Sequence, residues 1–181
     1  DNGDIQYICS HAFSICSNIE ELYCDIADGD YDAFYGCVAK DVTLSSNWFS
    51  ESHGWWSAFF PELTNLTVLA DSDWNSICIN PSYEANLKTI TLPEGIKIEA
   101  DCGPFASHLP YGCKIYGPNA SPDHACWIVD GDLQLFAFPE DVDFYHLPSD
   151  VTKVSANLYV YGNGYSSRWN SNEVGFSTHI G

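Results

Sequence analysis

The sequence predicts a single α+β domain in which a curved, mostly antiparallel sheet wraps around N-terminal helices. Three observations predict it. Apolar residues recur at helical spacing through the first 27 residues, alternation and β-branched content take over beyond Asn65, and 181 residues suit one domain. No linker, low-complexity stretch or internal repeat stands out.

Ile5, Ile8, Cys9, Ala12, Phe13, Cys16, Ile19, Leu22, Tyr23 and Ile26 fall on one face of a first helix. It stops at Asp28-Gly29-Asp30, where glycine relaxes the backbone and aspartate caps a second helix over 31–39. Asp41-Val42-Thr43-Leu44 opens a strand. A third helix is expected over 55–60, gathering Trp55, Trp56, Phe59 and Phe60 before Pro61 ends it. Strands follow over 66–70, 76–79, 85–92 and 96–100. Residues 103–123, with four prolines and three glycines, read as loop. The run 126–138 is a hairpin, because Asp130-Gly131 is a strong turn signal between two apolar runs. A last strand is expected over 156–161. The domain thus spans 1–181, with a loop-rich insertion at about 101–125 and a C-terminal extension over 148–181.

Eight cysteines, at 9, 16, 24, 37, 78, 102, 113 and 126, contain no Cys-x-x-Cys pair. That spacing opposes zinc modules and redox motifs, and an even count predicts up to four disulfides of open connectivity in an oxidising compartment. Asn65-Leu66-Thr67 and Asn119-Ala120-Ser121 are glycosylation acceptors. A chain starting at Asp1 is what removal of an export signal would leave. Secretion to the extracellular space is the expectation.

A net charge of −19, from 25 acidic residues against five lysines and Arg168, repels phosphate backbones and anionic lipid, so nucleic acid and membrane surfaces are excluded as partners. Nor is there a run of about 18 apolar residues to insert into a membrane.

Ile19-Glu20-Glu21-Leu22-Tyr23, Asp28-Gly29-Asp30-Tyr31-Asp32-Ala33-Phe34, Val38-Ala39-Lys40-Asp41-Val42-Thr43-Leu44, Gly54 through Leu63 and Asp130-Gly131-Asp132-Leu133 together resemble the NTF2-like superfamily, in particular its SnoaL-like branch. The resemblance covers about a third of the chain. It implies a cone of sheet around three helices, enclosing a pocket open at one end.

Reaction by reaction, the resemblance transfers little chemistry. Where ketosteroid isomerases of that superfamily carry an oxyanion tyrosine and an aspartate base, this chain has Leu22 and Ser46. Epoxide hydrolases need an arginine among aspartates, and Arg168 lies outside the resembling part. A cyclase or dehydratase would draw on Tyr23, Asp143 and His146, with His108 and His124 as further general acid–base types. Asp28, Asp30 and Asp32 alternate like the start of a calcium loop, but Ala33 and Ala39 stand where its glycine and glutamate belong. No zinc motif, serine-nucleophile motif or phosphate cradle occurs, so neither a metal nor a cofactor is expected.

Aromatic residues make up 15% of the chain, including six tryptophans, and Trp48, Trp55, Trp74 and Trp127 are the candidate ligand-binding residues. The expectation is a non-catalytic secreted domain binding a small apolar molecule or pigment, a glycan or a protein subunit. A SnoaL-like isomerase, cyclase or dehydratase is one alternative; a self-associating structural subunit of an extracellular assembly is another.

Overall fold

Four stretches share one local pattern, in which polar and aliphatic residues alternate around a hydroxyl: Asp41-Val42-Thr43-Leu44, Asn65-Leu66-Thr67-Val68, Thr89-Ile90-Thr91-Leu92 and Lys114-Ile115-Tyr116. Each forms a strand, since alternation at period two turns the aliphatic side chains to one face. The computed structural model describes residues 5–30, 32–49, 60–71, 75–78, 86–99, 109–140, 142, 144–156, 165–170 and 173–178. Its strands are β1 (Glu21–Cys24), β2 (Asp41–Ser45), β3 (Asn65–Leu69), β4 (Ser76–Ile77), β5 (Thr89–Thr91), β6 (Lys97–Ile98), β7 (Lys114–Tyr116), β8 (Cys126–Val129), β9 (Asp132–Phe136), β10 (Phe144–His146), β11 (Lys153–Val154), β12 (Tyr165–Asn170) and β13 (Glu173–Thr178).

β1, β2, β3, β5 and β7 form one five-stranded sheet in that order, every neighbouring pair parallel. Glu21 lies beside Asp41, Asp41 beside Asn65, Asn65 beside Thr89 and Thr89 beside Lys114, steps of 20, 24, 24 and 25 residues. The chain therefore winds as a β-solenoid, one strand of this sheet per coil, each coil resting on its neighbours. β4 and β6 pair in parallel on another side of the coils. Beyond β7 the pattern changes. β8 and β9 form an antiparallel hairpin joined in parallel to β11, while β10, β13 and β12 form an antiparallel sheet.

The core is the stack of inward residues: Val42, Leu66, Ile90 and Ile115 in one row, Leu44, Val68 and Leu92 in the next, all buried. Two tryptophans tie coils together. Trp48 donates its indole N–H to the carbonyl of Ile26 at 2.7 Å, and Trp127 donates to Ile96 at 2.9 Å. Both rings are buried, as is Phe34, which meets Trp48 edge-on at 5.0 Å.

These observations correct the α+β, NTF2-like expectation. No α-helix occurs among the described residues, where a 3₁₀ turn at Ser46–Phe49 is the one helical element, and side chains fill the space a cone would enclose. In place of the first helix, Ile8 bridges to Gly29, His11 and Ile15 adopt left-handed φ of 59° and 56°, and β1 takes 21–24. Tight turns, Ala33 to Asp30, Tyr35 to Asp32 and Cys37 to Phe34, replace the second helix. Such turns deliver apolar residues inward every three or four positions, the spacing that a helix would show. The third expected helix falls almost wholly outside the described residues. Parallel pairing replaces the antiparallel sheet because the segments between rungs are long enough for crossovers.

Disulfide stapling is corrected as well. Cys9, Cys16, Cys24, Cys37, Cys113 and Cys126 are free thiols, and Cys78 is the only described cysteine held in a disulfide. The core is closed by apolar packing instead, with Cys24, Cys37, Cys113 and Cys126 buried in it as small hydrophobes.

The strands expected near 66–70, 76–79, 85–92 and 96–100 are present as β3, β4, β5 and β6. The hairpin stands too: Asp130 and Gly131 have φ of 52° and 76°, the two positive values of a type I′ turn. β7 emerges from the stretch read as loop and supplies the fifth rung.

Candidate functional site

The outward face of the five-stranded sheet carries two rows set by the same register. The first runs Glu21, Asp41, Asn65, Thr89, Lys114. Within it the Asn65 amide donates to the Asp41 carboxylate, and the Thr89 hydroxyl donates to the Asn65 amide oxygen at 2.6 Å. That continuous polar ladder fixes side-chain positions from β2 to β5. The second row runs Tyr23, Thr43, Thr67, Thr91, Tyr116. Its threonines are half-buried, while Tyr23 and Tyr116 at the ends are 68% and 38% exposed. With strands about 4.8 Å apart, the two tyrosines stand roughly 19 Å from each other. Tyr116 is steadied by the His124 ring, 4.4 Å away. The face is flat, rigid and hydroxyl-rich, with an aromatic ring at either end.

An open cleft of about 210 Å³ lies elsewhere, lined by Pro118, Asn119, Ser121, Pro122, Pro148 and Asp150 among others. Next to it Ser121, Asp123, Cys126 and Tyr145 form a hydrogen-bonded cluster. Ser121 donates to the Asp123 carboxylate at 2.6 Å, and Cys126 Sγ lies 3.5 Å from the Tyr145 hydroxyl. Burial, then its hydrogen bond to Asp123, raises Tyr145 above the ordinary phenol range. Burial pushes Cys126 up to about 11 and Cys113 up to about 12. Desolvation opposes ionisation of Asp123, but hydrogen bonds from Ser121, Tyr145 and the Ala125 N–H outweigh it and hold the carboxyl low. Thiols and phenol thus stay protonated at neutral pH, the reverse of what an activated nucleophile requires. No group of three His, Cys, Asp or Glu side chains among the described residues is placed to hold a metal ion. Nor is any helix there long and apolar enough to cross a membrane.

The residues singled out from the sequence are not brought together. Tyr23 stands on β1 and exposed His146 on β10, in different sheets; Asp143 lies outside the described residues. Trp48 and Trp127 are core residues that offer no face to a ligand. Trp55, Trp74 and His108 lie outside the described residues. Both acceptor asparagines are engaged: Asn65 in the ladder, and Asn119, which donates to Ile128 O at 3.1 Å and accepts from Gly95 N at 2.9 Å. The threonine row was not among the expected site residues, although Thr43, Thr67 and Thr91 recur at an even interval of 24.

Comparison with protein-family models, curated proteins and solved structures finds no match to this chain.

Proposed function

We propose that the chain is a secreted, non-catalytic binding module that holds a neutral glycan along the outward face of its parallel sheet. The observation that carries this reading is the in-register row Tyr23, Thr43, Thr67, Thr91, Tyr116. Tyrosine rings offer apolar faces with a polar tip, suited to the C–H faces of sugars, and the threonine hydroxyls between them donate and accept hydrogen bonds. A small apolar ligand would need an enclosed apolar cavity, whereas this face is open and hydroxyl-lined. A solenoid sheet keeps such an array fixed before binding, which lowers the ordering cost.

The experiment is a screen of neutral oligosaccharides followed by titration of Tyr23→Ala, Tyr116→Ala and Thr67→Val. Each variant is expected to weaken binding about tenfold while thermal unfolding stays near the parent's. Failure of every oligosaccharide to bind, or binding indifferent to all three substitutions, would overturn the reading. Export carries its own check: with six of the seven described cysteines free, it rests on the acceptor triplets, and native protein found in the cytosolic fraction refutes it.

A further inference from the structure

The two edges of the five-stranded sheet are treated differently. At β7 the edge is closed: Ile115 N–H donates to the carbonyl of His124 at 2.8 Å, and His124 Nδ1 sits 3.0 Å from the Ile115 carbonyl. At β1 the edge has no such cover among the described residues. Asp41 N–H donates to the carbonyl of Glu20 at 3.1 Å, so the parallel pattern turns the N–H and C=O of Leu22 and Cys24 toward β2. Those of Glu21 and Tyr23 face outward, a row of donors and acceptors with no partner among the described residues.

The N-terminal coils that carry this edge have a surface both apolar and anionic. Ile5, Tyr7, Ile15, Tyr23 and Tyr35 are exposed, five of the eight large exposed hydrophobics among the described residues. The first 39 residues contain eight acidic residues and no lysine or arginine before Lys40. Glu20, Glu21, Asp25 and Asp28 are exposed there. A second copy of this chain would bring like charge against like.

We propose that the β1 edge docks an extended basic segment of another protein as a sixth strand. Main-chain hydrogen bonds to Glu21 and Tyr23 would hold it, and its lysine or arginine side chains would meet the carboxylates. The carboxylates that repel a second copy select this partner by charge complementarity. Strand docking here is independent of glycan binding, which uses the face of the sheet and not its edge.

The test uses the whole chain and a nine-residue peptide alternating lysine and valine, with its glutamate–valine counterpart as control. The basic peptide is expected to slow amide exchange at Glu21 and Tyr23 at least tenfold, and Glu20→Lys/Glu21→Lys to weaken its binding at least tenfold. Asp150→Lys, remote from this edge, is expected to leave affinity within twofold. Equal binding of both peptides, equal loss in both charge variants, no binding, or protection at β1 caused by self-association alone would each overturn the proposal.

Discussion

Trp127 donates its indole N–H to the carbonyl of Ile96 at 2.9 Å, and its ring lies against the space where Gly117 has no side chain. One buried ring thus satisfies a polar group of the neighbouring coil while packing on the end of β7. Trp127→Ala is expected to cost about 3–5 kcal/mol by opening a cavity. Trp127→Phe, which strands the Ile96 carbonyl, is expected to cost about 1–3 kcal/mol. Urea unfolding midpoints check both; equal midpoints for parent and Phe variant would refute the bond's role.

Gly117 makes a paired prediction. A Cβ there would sit 2.2 Å from the Leu92 carbonyl oxygen and 3.0 Å from the Trp127 ring, and φ is +129°. Gly117→Ala is therefore expected to destabilise by more than the roughly 1–3 kcal/mol of backbone strain, because the clash with the Leu92 carbonyl adds to it. By contrast Gly95→Ala, at φ +70° with nothing near its would-be Cβ, suffers only the conformational penalty and should fall well short of that.

The thiol assignments are checked by counting. In native protein an aromatic disulfide reagent should label Cys9 quickly and leave buried Cys37, Cys113 and Cys126 unlabelled until denaturant is added. Mass spectrometry of unreduced protein with those four blocked in disulfides would contradict it.

Stability should fall at both ends of the pH scale, for opposite reasons. Folding raises Cys113 from 9.0 to about 12 and Cys126 from 9.0 to about 11. Their contribution is complete below pH 9, where the unfolded thiols are still protonated. It is lost as pH climbs toward 11–12, because only the unfolded chain ionises. Folding lowers Asp123, so its contribution is present above the ordinary carboxylate range and disappears as pH drops through the folded value. Unfolding midpoints measured in reducing buffer should decline above pH 9, and less steeply in Cys113→Ala/Cys126→Ala. Identical alkaline slopes would show that these thiols are not the cause.

The polar ladder predicts a smaller effect. Asn65→Ala removes a donor to Asp41 and an acceptor for Thr89 at a half-buried position, with an expected cost of about 0.5–1.5 kcal/mol. Asn65→Asp should be worse than Asn65→Gln at neutral pH, since it sets two carboxylates side by side on adjacent strands. A reversed order in thermal unfolding would show that these bonds do not hold the strands in register.

Strand positions were legible in the sequence wherever alternation was local, as at Asn65–Leu69, and so was the Asp130-Gly131 turn. What joined the strands was not. Residue 22 pairs with 42 and 42 with 66, contacts visible only by superposing the sequence on itself at 20 to 25 residues. The three threonines at 43, 67 and 91 held that information, but coil lengths differ and the intervening turns share no evident residue pattern. The first 39 residues misled for a related reason. Phe13, stacked 5.4 Å from Phe34, and buried Ile8 repeat like a helix face, yet each is pointed inward by a separate turn. The aromatic excess misled too, since the indoles of Trp48 and Trp127 serve the backbone of neighbouring coils.

The 24-residue step from Asn65 to Thr89 has an architectural consequence. Thr64 and Lys88 occupy equivalent places, each taking part in the same inter-coil bond one turn apart. Excising residues 65–88 as a block would set Thr89 beside Asp41 and leave hydroxyl against carboxylate, aliphatic against aliphatic. Losing one residue inside β3 would instead turn its buried side chains to solvent. The rows of the five-stranded sheet are therefore kept by whole turns and broken by fractions, so a change of length that preserves them must be a complete coil.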